Sequence, residues 1–226
     1  MIGLIPPKLF THLGLWMDGI PREGPEQMAC DEALLAQIDR PILRIFSWAR
    51  PWISAGYFTS WKEAQTVRPD LPLCRRWTGG GIVVHDNDFT FTLAVPRREP
   101  WAAQRPEESY LQLHQVLAHA LASAGFDTIL SPRSAAPEAS CFAGAVRHDI
   151  LVDGRKIAGG AQRRNRQGLL HQGSIQEISP CRDFGETLAA TLSQEVLRWK
   201  PSQTFEEDAA LLLASKYANK DFLERA

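Results

Sequence analysis

The sequence predicts an α+β fold: a mixed β-sheet with helices packed on it, contained in one domain spanning residues 1–226. Three observations support this. Strand-like segments cluster in the middle of the chain, whereas helix-like segments stand near its start, centre and end. The Asp153-Gly154 dipeptide between two apolar runs is the strongest two-residue hairpin signal in the chain. Finally, 226 residues that are 44% hydrophobic suffice for one ordinary core and exclude a disordered linker.

Thr11 to Asp18 reads as a strand that leads into the turn-rich stretch Gly19 to Pro25. A helix is expected from about Glu26 to Asp39, with Met28, Ala29, Leu34, Leu35 and Ile38 as its apolar face and Pro41 as its stop. Ile42 to Trp48 is a strand closed by Arg50 and Pro51. Leu73 to Trp77 and Ile82 to Val84 are short strands flanking Gly79, Gly80 and Gly81. Phe89 to Val95 alternates large apolar residues with Thr or Ala, the pattern of a half-buried strand, and stops at Pro96. From Pro106 to Ala124, residues Leu113, Val116, Leu117, Ala120, Leu121 and Ala124 recur at helical spacing until Gly125. Ser131 to Gly144, rich in Ser, Pro and Ala, is a long loop of the kind that often carries function. Ile150 to Val152 and Arg155 to Ala158 form the hairpin, and a turn at Asn165 to Gly168 feeds Leu169 to Ile175. Phe184 to Trp199 reads as one amphipathic helix and Glu206 to Ser215 as another. There is no internal repeat.

Charge narrows the function classes. With 25 Lys+Arg against 26 Asp+Glu, the net charge of −1 argues against binding nucleic acid by neutralising many phosphates. No apolar run approaches the ~20 residues of a bilayer span, so no membrane role is expected. Met1 to Lys8 is broken too early by proline for a secretory segment. Cys30, Cys74, Cys141 and Cys181 form neither a CxxC pair nor a disulfide framework, which points to a cytoplasmic protein with reduced thiols.

The densest chemical signal is Arg75, Arg76, Trp77, Thr78 and the three glycines, followed by His85 and Asp86. Consecutive glycines let backbone N–H groups converge on an anion or a reacting carbonyl oxygen, and two arginines add positive charge. A plain glycine turn beside exposed charges is the competing reading. A second signal is Lys156, on a strand followed by Ala158, Gly159, Gly160 and Ala161. Pointing inward, it would be a partly desolvated cation able to hold a carboxylate, a phosphate or an acyl carbonyl, with small residues leaving room for a ligand chain. A snorkelling surface lysine is the alternative. In a third segment His171, with Gly173 and Ser174 behind it, could line a ligand, act as a base or be a satisfied core histidine. Cys141 lies in the long loop, where nearby cations would stabilise its thiolate, whereas Cys30 and Cys74 fit buried positions. A metal cluster of His85, Asp86 and Asp88 lacks a second ligand segment, so no metal is expected there.

In order along the chain, these motifs are similar to those of the lipoate–protein ligase and octanoyltransferase superfamily, related to the biotin protein ligase catalytic fold. Arg-Arg-x-Thr-Gly-Gly-Gly-x-x-x-His-Asp at 75–86, Gly-Arg-Lys-Ile-x-Gly-x-Ala-Gln at 154–162 and Leu-His-Gln-Gly-Ser at 170–174 carry the likeness. Met28 to Leu35 resembles the family's first helix, and Lys216-Tyr217 resembles the close of its catalytic domain. The resemblance implies transfer of an octanoyl or lipoyl group to one lysine of a lipoyl carrier domain, of the glycine-cleavage H protein or the 2-oxoacid dehydrogenase E2 type. By that carry-over Arg76, Thr78, Gly79, Gly80, Gly81, His85, Gly159, Ala161, His171 and Gly173 belong to the acyl site, and Lys156 holds the carbonyl.

Cys141-Phe142 resembles the cysteine pair of octanoyltransferases that work through a thioester, which implies Cys141 as nucleophile, acyl carrier protein as possible donor and no cofactor. Asp149 matches the aspartate of ATP-dependent ligases, although His148 replaces their asparagine; that alternative implies ATP and Mg²⁺, with Asp149 and Lys156 at the adenylate. A non-catalytic acyl- or carrier-binding relative is the third reading. Thr59 stands where many relatives place a glutamine. Arg163, Arg164 and Arg166, with Arg75 and Arg76, form an expected docking patch for an acidic carrier domain.

Overall fold

The computed structural model describes residues 5–132 and 144–225. The chain runs through β1 (Phe10–Met17), α1 (Gly24–Gln37), β2 (Ile42–Phe46), β3 (Trp52–Ala55), α2 (Trp61–Val67), β4 (Leu73–Arg75), β5 (Ile82–His85), β6 (Phe89–Pro96) and α3 (Pro106–Ser123). It continues through β7 (Ile129–Leu130), β8 (Ile150–Val152), β9 (Arg155–Arg164), β10 (Gly168–Ile175), α4 (Phe184–Leu192), β11 (Ser193–Arg198), α5 (Gln203–Leu212), a π-helical turn at Leu213–Tyr217 and α6 (Lys220–Leu223).

Eight strands form one sheet in the order β11-β1-β2-β6-β10-β9-β8-β7, and β4-β3-β5 form a second. In the large sheet β1 runs parallel to β2 and β11, while β2–β6, β6–β10 and β10–β9 pair antiparallel. Alternation along the strands divides the core. Leu13, Leu43, Phe91, Leu93 and Val95 pack with Leu113, Val116 and Leu117 of α3 and Leu188 of α4. Trp16, Ile42, Ala94 and Leu170 pack with Met28, Ala33 and Leu34 of α1 and Phe205 of α5. The expected α+β fold, with helices on a mixed sheet, is what forms.

Four local expectations need correction. Helix α1 begins two residues early, because Glu23 and Glu26 close a capping box and Pro25 occupies the first turn, where no N–H is needed. Strand β6 is buried on both faces after Phe89, not half-buried. Its threonines bury without penalty because Thr92 donates to Asp31 and Thr90 to Asp88. The single helix expected over Phe184 to Trp199 stops at Leu192, and the rest extends as β11 along the free edge of β1. Val196 and Trp199 continue the helical spacing, but edge pairing and the tilted packing of Trp199 against Trp16 (ring centroids 5.0 Å apart) override that local preference. Lastly, β3 and α2 were not expected; β3 is too short to show a period, and Ser60, which caps the Glu63 N–H, was an unread start signal for α2.

The Asp153-Gly154 hairpin forms as expected, with φ of 50° and 77° at the two residues. Among the described residues no helix is long and apolar enough to cross a membrane.

Candidate active site

A narrow cleft opens between the two sheets on the α1 side. Its floor is Gly159, Gly160 and Ala161 of β9 beside Gln172, Gly173 and Ser174 of β10, and its roof includes Arg76, Val83 and His85. Met28, Phe46 and Trp48 add apolar lining. Lys156 enters this cleft with its side chain 7% exposed and its Nζ 2.7 Å from Asp149 Oδ2. The sequence posed a choice between surface snorkelling and an inward cation, and the fold places the lysine inward. Gly159 makes room for it, since a Cβ there would lie 2.7 Å from Lys156 Cε.

Two of the floor glycines are also required on the opposite face of the sheet. A Cβ on Gly160 would lie 2.2 Å from His171 Nε2, and one on Gly173 would lie 2.2 Å from the Phe91 ring. Those two glycines therefore answer to packing on the α3 side of the sheet.

Asp149 is fully buried. Its Oδ1 accepts the Tyr110 hydroxyl at 2.6 Å, and its Oδ2 accepts the Val146 N–H at 2.8 Å as well as Lys156. With both oxygens engaged inside the protein, it presents no open face to a cation. Among the described residues no group of three or more His, Cys, Asp or Glu could hold a metal ion.

Of the two arginines, Arg76 holds the glycine segment directly, whereas Arg75 ties neighbouring segments together. Arg75 is buried and donates to the carbonyls of Gly56, Thr59, Leu223 and Arg225. Arg76 donates to Ser54, to the Gly79 carbonyl at 3.2 Å and to the Gly81 carbonyl at 2.9 Å. The expectation that both form part of an exposed docking patch is thus corrected: backbone carbonyls take up their charge. Arg163 stacks over Tyr57 and Trp77, and Arg164 donates to Ala102 and Ser109, leaving Arg166 as the exposed member of that trio.

Gly80 has φ of 84°, a conformation that favours glycine, and Thr59 Oγ1 donates to its carbonyl at 2.9 Å. So Thr59 grips the loop. A Cβ on Gly56 would lie 1.9 Å from the Gly80 oxygen, so the two backbones touch. Gly79 and Gly80 line a second, open cleft with Tyr110, Val146, Arg147 and His148, and this cleft shares Gly160 and Ala161 with the first.

Beneath the loop, Thr78 Oγ1 donates to Gln172 Oε1 at 2.6 Å, and Gln172 Nε2 donates to Asp31 Oδ2 at 2.6 Å. Asp31 Oδ1 also accepts from buried Arg44 at 2.7 Å. His85 sits between Ser54 (2.7 Å from Nε2) and Asp88 (2.8 Å from Nδ1), with Trp48 stacked on its ring at 4.0 Å. Burial pushes the Asp88 carboxyl up, but the His85 ring and hydrogen bonds from His85, Ser174 and Thr90 outweigh it and hold the group below its usual value.

His171 lies on the α3 face of the sheet, outside the lining of both clefts, in contact with Phe91, Tyr110 and His114. Burial drives its pKa well below 6.5 and that of His114 down to about 4. Both rings are therefore neutral at physiological pH. A folded-state pKa below the unfolded one means that the unfolded chain binds more protons as pH falls. We expect stability to be full above about pH 6.5 and to drop between there and about pH 4, and His114→Gln to flatten that drop. Urea unfolding across this range checks it; an identical slope in His114→Gln would refute the assignment.

Cys30 and Cys74 are buried, as the sequence suggested, and Cys181 is exposed. Cys141 lies outside the described residues. The described residues on either side converge on Asp149: the Ser131 N–H donates to the Asp149 carbonyl at 2.7 Å, and the Ser131 carbonyl accepts the His148 N–H at 2.8 Å. Of the expected site residues, the structure brings together Lys156, Arg76, His85, Gly159, Ala161 and Gly173 in the first cleft, and Gly79, Gly80 and Ala161 in the second. Thr78 and Gly81 support the loop from below. Tyr110, Gln172, Asp31 and Trp48 were missed, because each belongs to a segment whose local pattern already had a structural explanation.

The family model described as "Lipoyl protein ligase A/B catalytic domain" matches residues 23–199. Octanoyltransferase LipM of Staphylococcus aureus is 31% identical over 208 residues, covering 82% of this chain and 72% of that protein. The protein of the same name from Kyrpidia tusciae is 33% identical over 205 residues, with 82% and 73% covered. Among solved structures, lipoate-protein ligase A bound with ATP aligns at a TM-score of 0.76 and 18% identity, over 94% of this chain and 98% of that one. A Thermoplasma acidophilum protein with bound lipoic acid aligns at 0.74 and 19%, over 96% and 100%.

Proposed function

The chain belongs to the lipoyl protein ligase A/B catalytic-domain family, and on that premise we propose that it is an acyltransferase of protein lipoylation, moving an octanoyl group from a carrier thioester to a lysine of a lipoyl domain. The observation that carries the mechanism is the buried amine of Lys156, set in a narrow, mostly apolar cleft beside Gly159. The octanoyl tail lies along β9 and β10 toward Met28, Phe46 and Trp48, where burying each CH₂ stabilises binding by about 0.8 kcal/mol. Its carbonyl oxygen takes a hydrogen bond from Lys156, which strengthens as negative charge develops on that oxygen.

The Cys141 thiolate attacks the donor carbonyl. The tetrahedral adduct expels the carrier's thiolate, which takes up a proton, and leaves octanoyl on Cys141 Sγ. The acceptor's neutral lysine amine then attacks that thioester; an amide forms, the C–S bond breaks, and the thiol is regenerated with the amine's proton. Exchanging a thioester for an amide requires no nucleotide. Acyl carrier protein is the proposed donor, and an H-protein or E2-type lipoyl domain the proposed acceptor.

Mixing the protein with octanoyl carrier protein and a lipoyl domain, in parallel with lipoate, ATP and Mg²⁺, tests this directly. Octanoylated lipoyl domain should accumulate without nucleotide. Acylation that occurs only with ATP, with pyrophosphate released, would refute it.

A further inference from the structure

On the α3 side of the sheet, a single phenol joins three elements that the motifs treat separately. Tyr110, in the first turns of α3, donates its hydroxyl to Asp149 Oδ1 at 2.6 Å and accepts the Gly160 N–H at 3.0 Å. Asp149 Oδ2 in turn holds Lys156 Nζ at 2.7 Å. We infer that Tyr110 is a positioning residue for the amine of Lys156, fixing through Asp149 where that cation stands in the cleft. The inference rests on the role given to Lys156 above and adds to it the part that sets its geometry.

A lysine head group rides on a flexible four-carbon stem, so its location is decided by whatever holds it. Here that holder is a carboxylate, and the terminal torsion of a carboxylate is soft. Asp149 keeps one orientation because its second oxygen is tied to Tyr110 by a short hydrogen bond of the charge-assisted kind.

The phenol is itself well anchored. Its ring packs on His114 with centroids 3.9 Å apart, and His114 Nδ1 donates to the His148 carbonyl at 2.8 Å. Helix α3 therefore grips residues 148 and 149 at two points, while the same hydroxyl takes a backbone N–H of β9, the strand that carries Lys156. Lysine, carboxylate, phenol and strand form a closed loop, and none can shift without disturbing the others. Displacements on the order of 1 Å in such an arrangement cost about 100-fold in rate.

Tyr110→Phe deletes one oxygen and leaves the ring packing in place. Comparing Tyr110→Phe, Asp149→Asn, their double variant and Lys156→Met in urea unfolding and in octanoyl transfer from octanoyl carrier protein tests the inference. We expect Tyr110→Phe to stay folded, to lose about 10- to 100-fold in kcat and to keep KM for the donor within about twofold. In the Asp149→Asn background the same substitution should cost less than about twofold, because the two act as one unit. Equal losses in both backgrounds would overturn the inference, and so would a loss confined to KM. Lys156→Met keeps the two levels distinguishable. If it transfers octanoyl at the wild-type rate, the reading of Lys156 falls. Coupling between Tyr110→Phe and Asp149→Asn in unfolding still shows in that case whether the phenol holds the carboxylate, and its absence there would overturn the contact itself.

Discussion

Cys141→Ser is expected to abolish the acyl-enzyme and to slow octanoyl transfer by about 10³-fold or more, the scale seen when a catalytic nucleophile is removed. A thiol with an unperturbed pKa of about 8.5 is already a few per cent thiolate at neutral pH and strongly nucleophilic, whereas a serine hydroxyl needs a general base aimed at it. The other cysteines cannot stand in. Burial pushes the Cys30 thiol up to about 11, against the pull of Arg44 and Arg22, and the Cys74 thiol up to about 12. Both remain protonated and enclosed. Cys181 is exposed, and Cys181→Ser should leave transfer unchanged. Intact-mass measurement after mixing with octanoyl carrier protein reads the first effect and single-turnover transfer the second. Full transfer by Cys141→Ser would end the thioester mechanism.

The second large effect is on stability. Asp31→Ala is expected to destabilise the protein by about 3 kcal/mol and to lower Tm by roughly 6–12 °C. Asp31 is fully buried and accepts from Arg44, Thr92 and Gln172. Its loss removes an acceptor from each of those buried donors and takes one of the two carboxylates, Asp18 and Asp31, that face Arg44. Asp18 still binds Arg44 through two nitrogens, which holds the cost to the lower end of the range for breaking a buried ion pair. Because Gln172 also accepts from Thr78, the glycine loop should loosen and transfer should fall as well. Urea unfolding reads the stability term. A loss below about 1 kcal/mol would show that the network relaxes around the gap.

Much of the fold was legible wherever local chemistry and tertiary context agree. The Asp-Gly turn, the helix ridge of α3 and the apolar strands β2, β6 and β10 each carry their instruction within a few residues. Legibility failed where one residue type serves two contexts. The threonines of β6 look solvent-facing, yet they feed buried carboxylates. Arg75 reads as ligand-facing charge, yet it caps backbone carbonyls away from the clefts. Ser193 to Arg198 continues a helical spacing, yet it pairs with an open sheet edge.

For the site the division is similar. The residue order alone determined that a glycine turn, an inward-capable lysine and a strand of small residues occur together, because those features are written in side-chain identity and spacing. Tertiary structure alone decided that Lys156 turns into the cleft, that Asp149 meets it there and that Tyr110, 39 residues from Asp149 along the chain, holds that carboxylate. The physical reason is that a hydrogen bond between distant segments depends on how a helix seats against a sheet, which is set by the summed packing of both core clusters and by no local pattern.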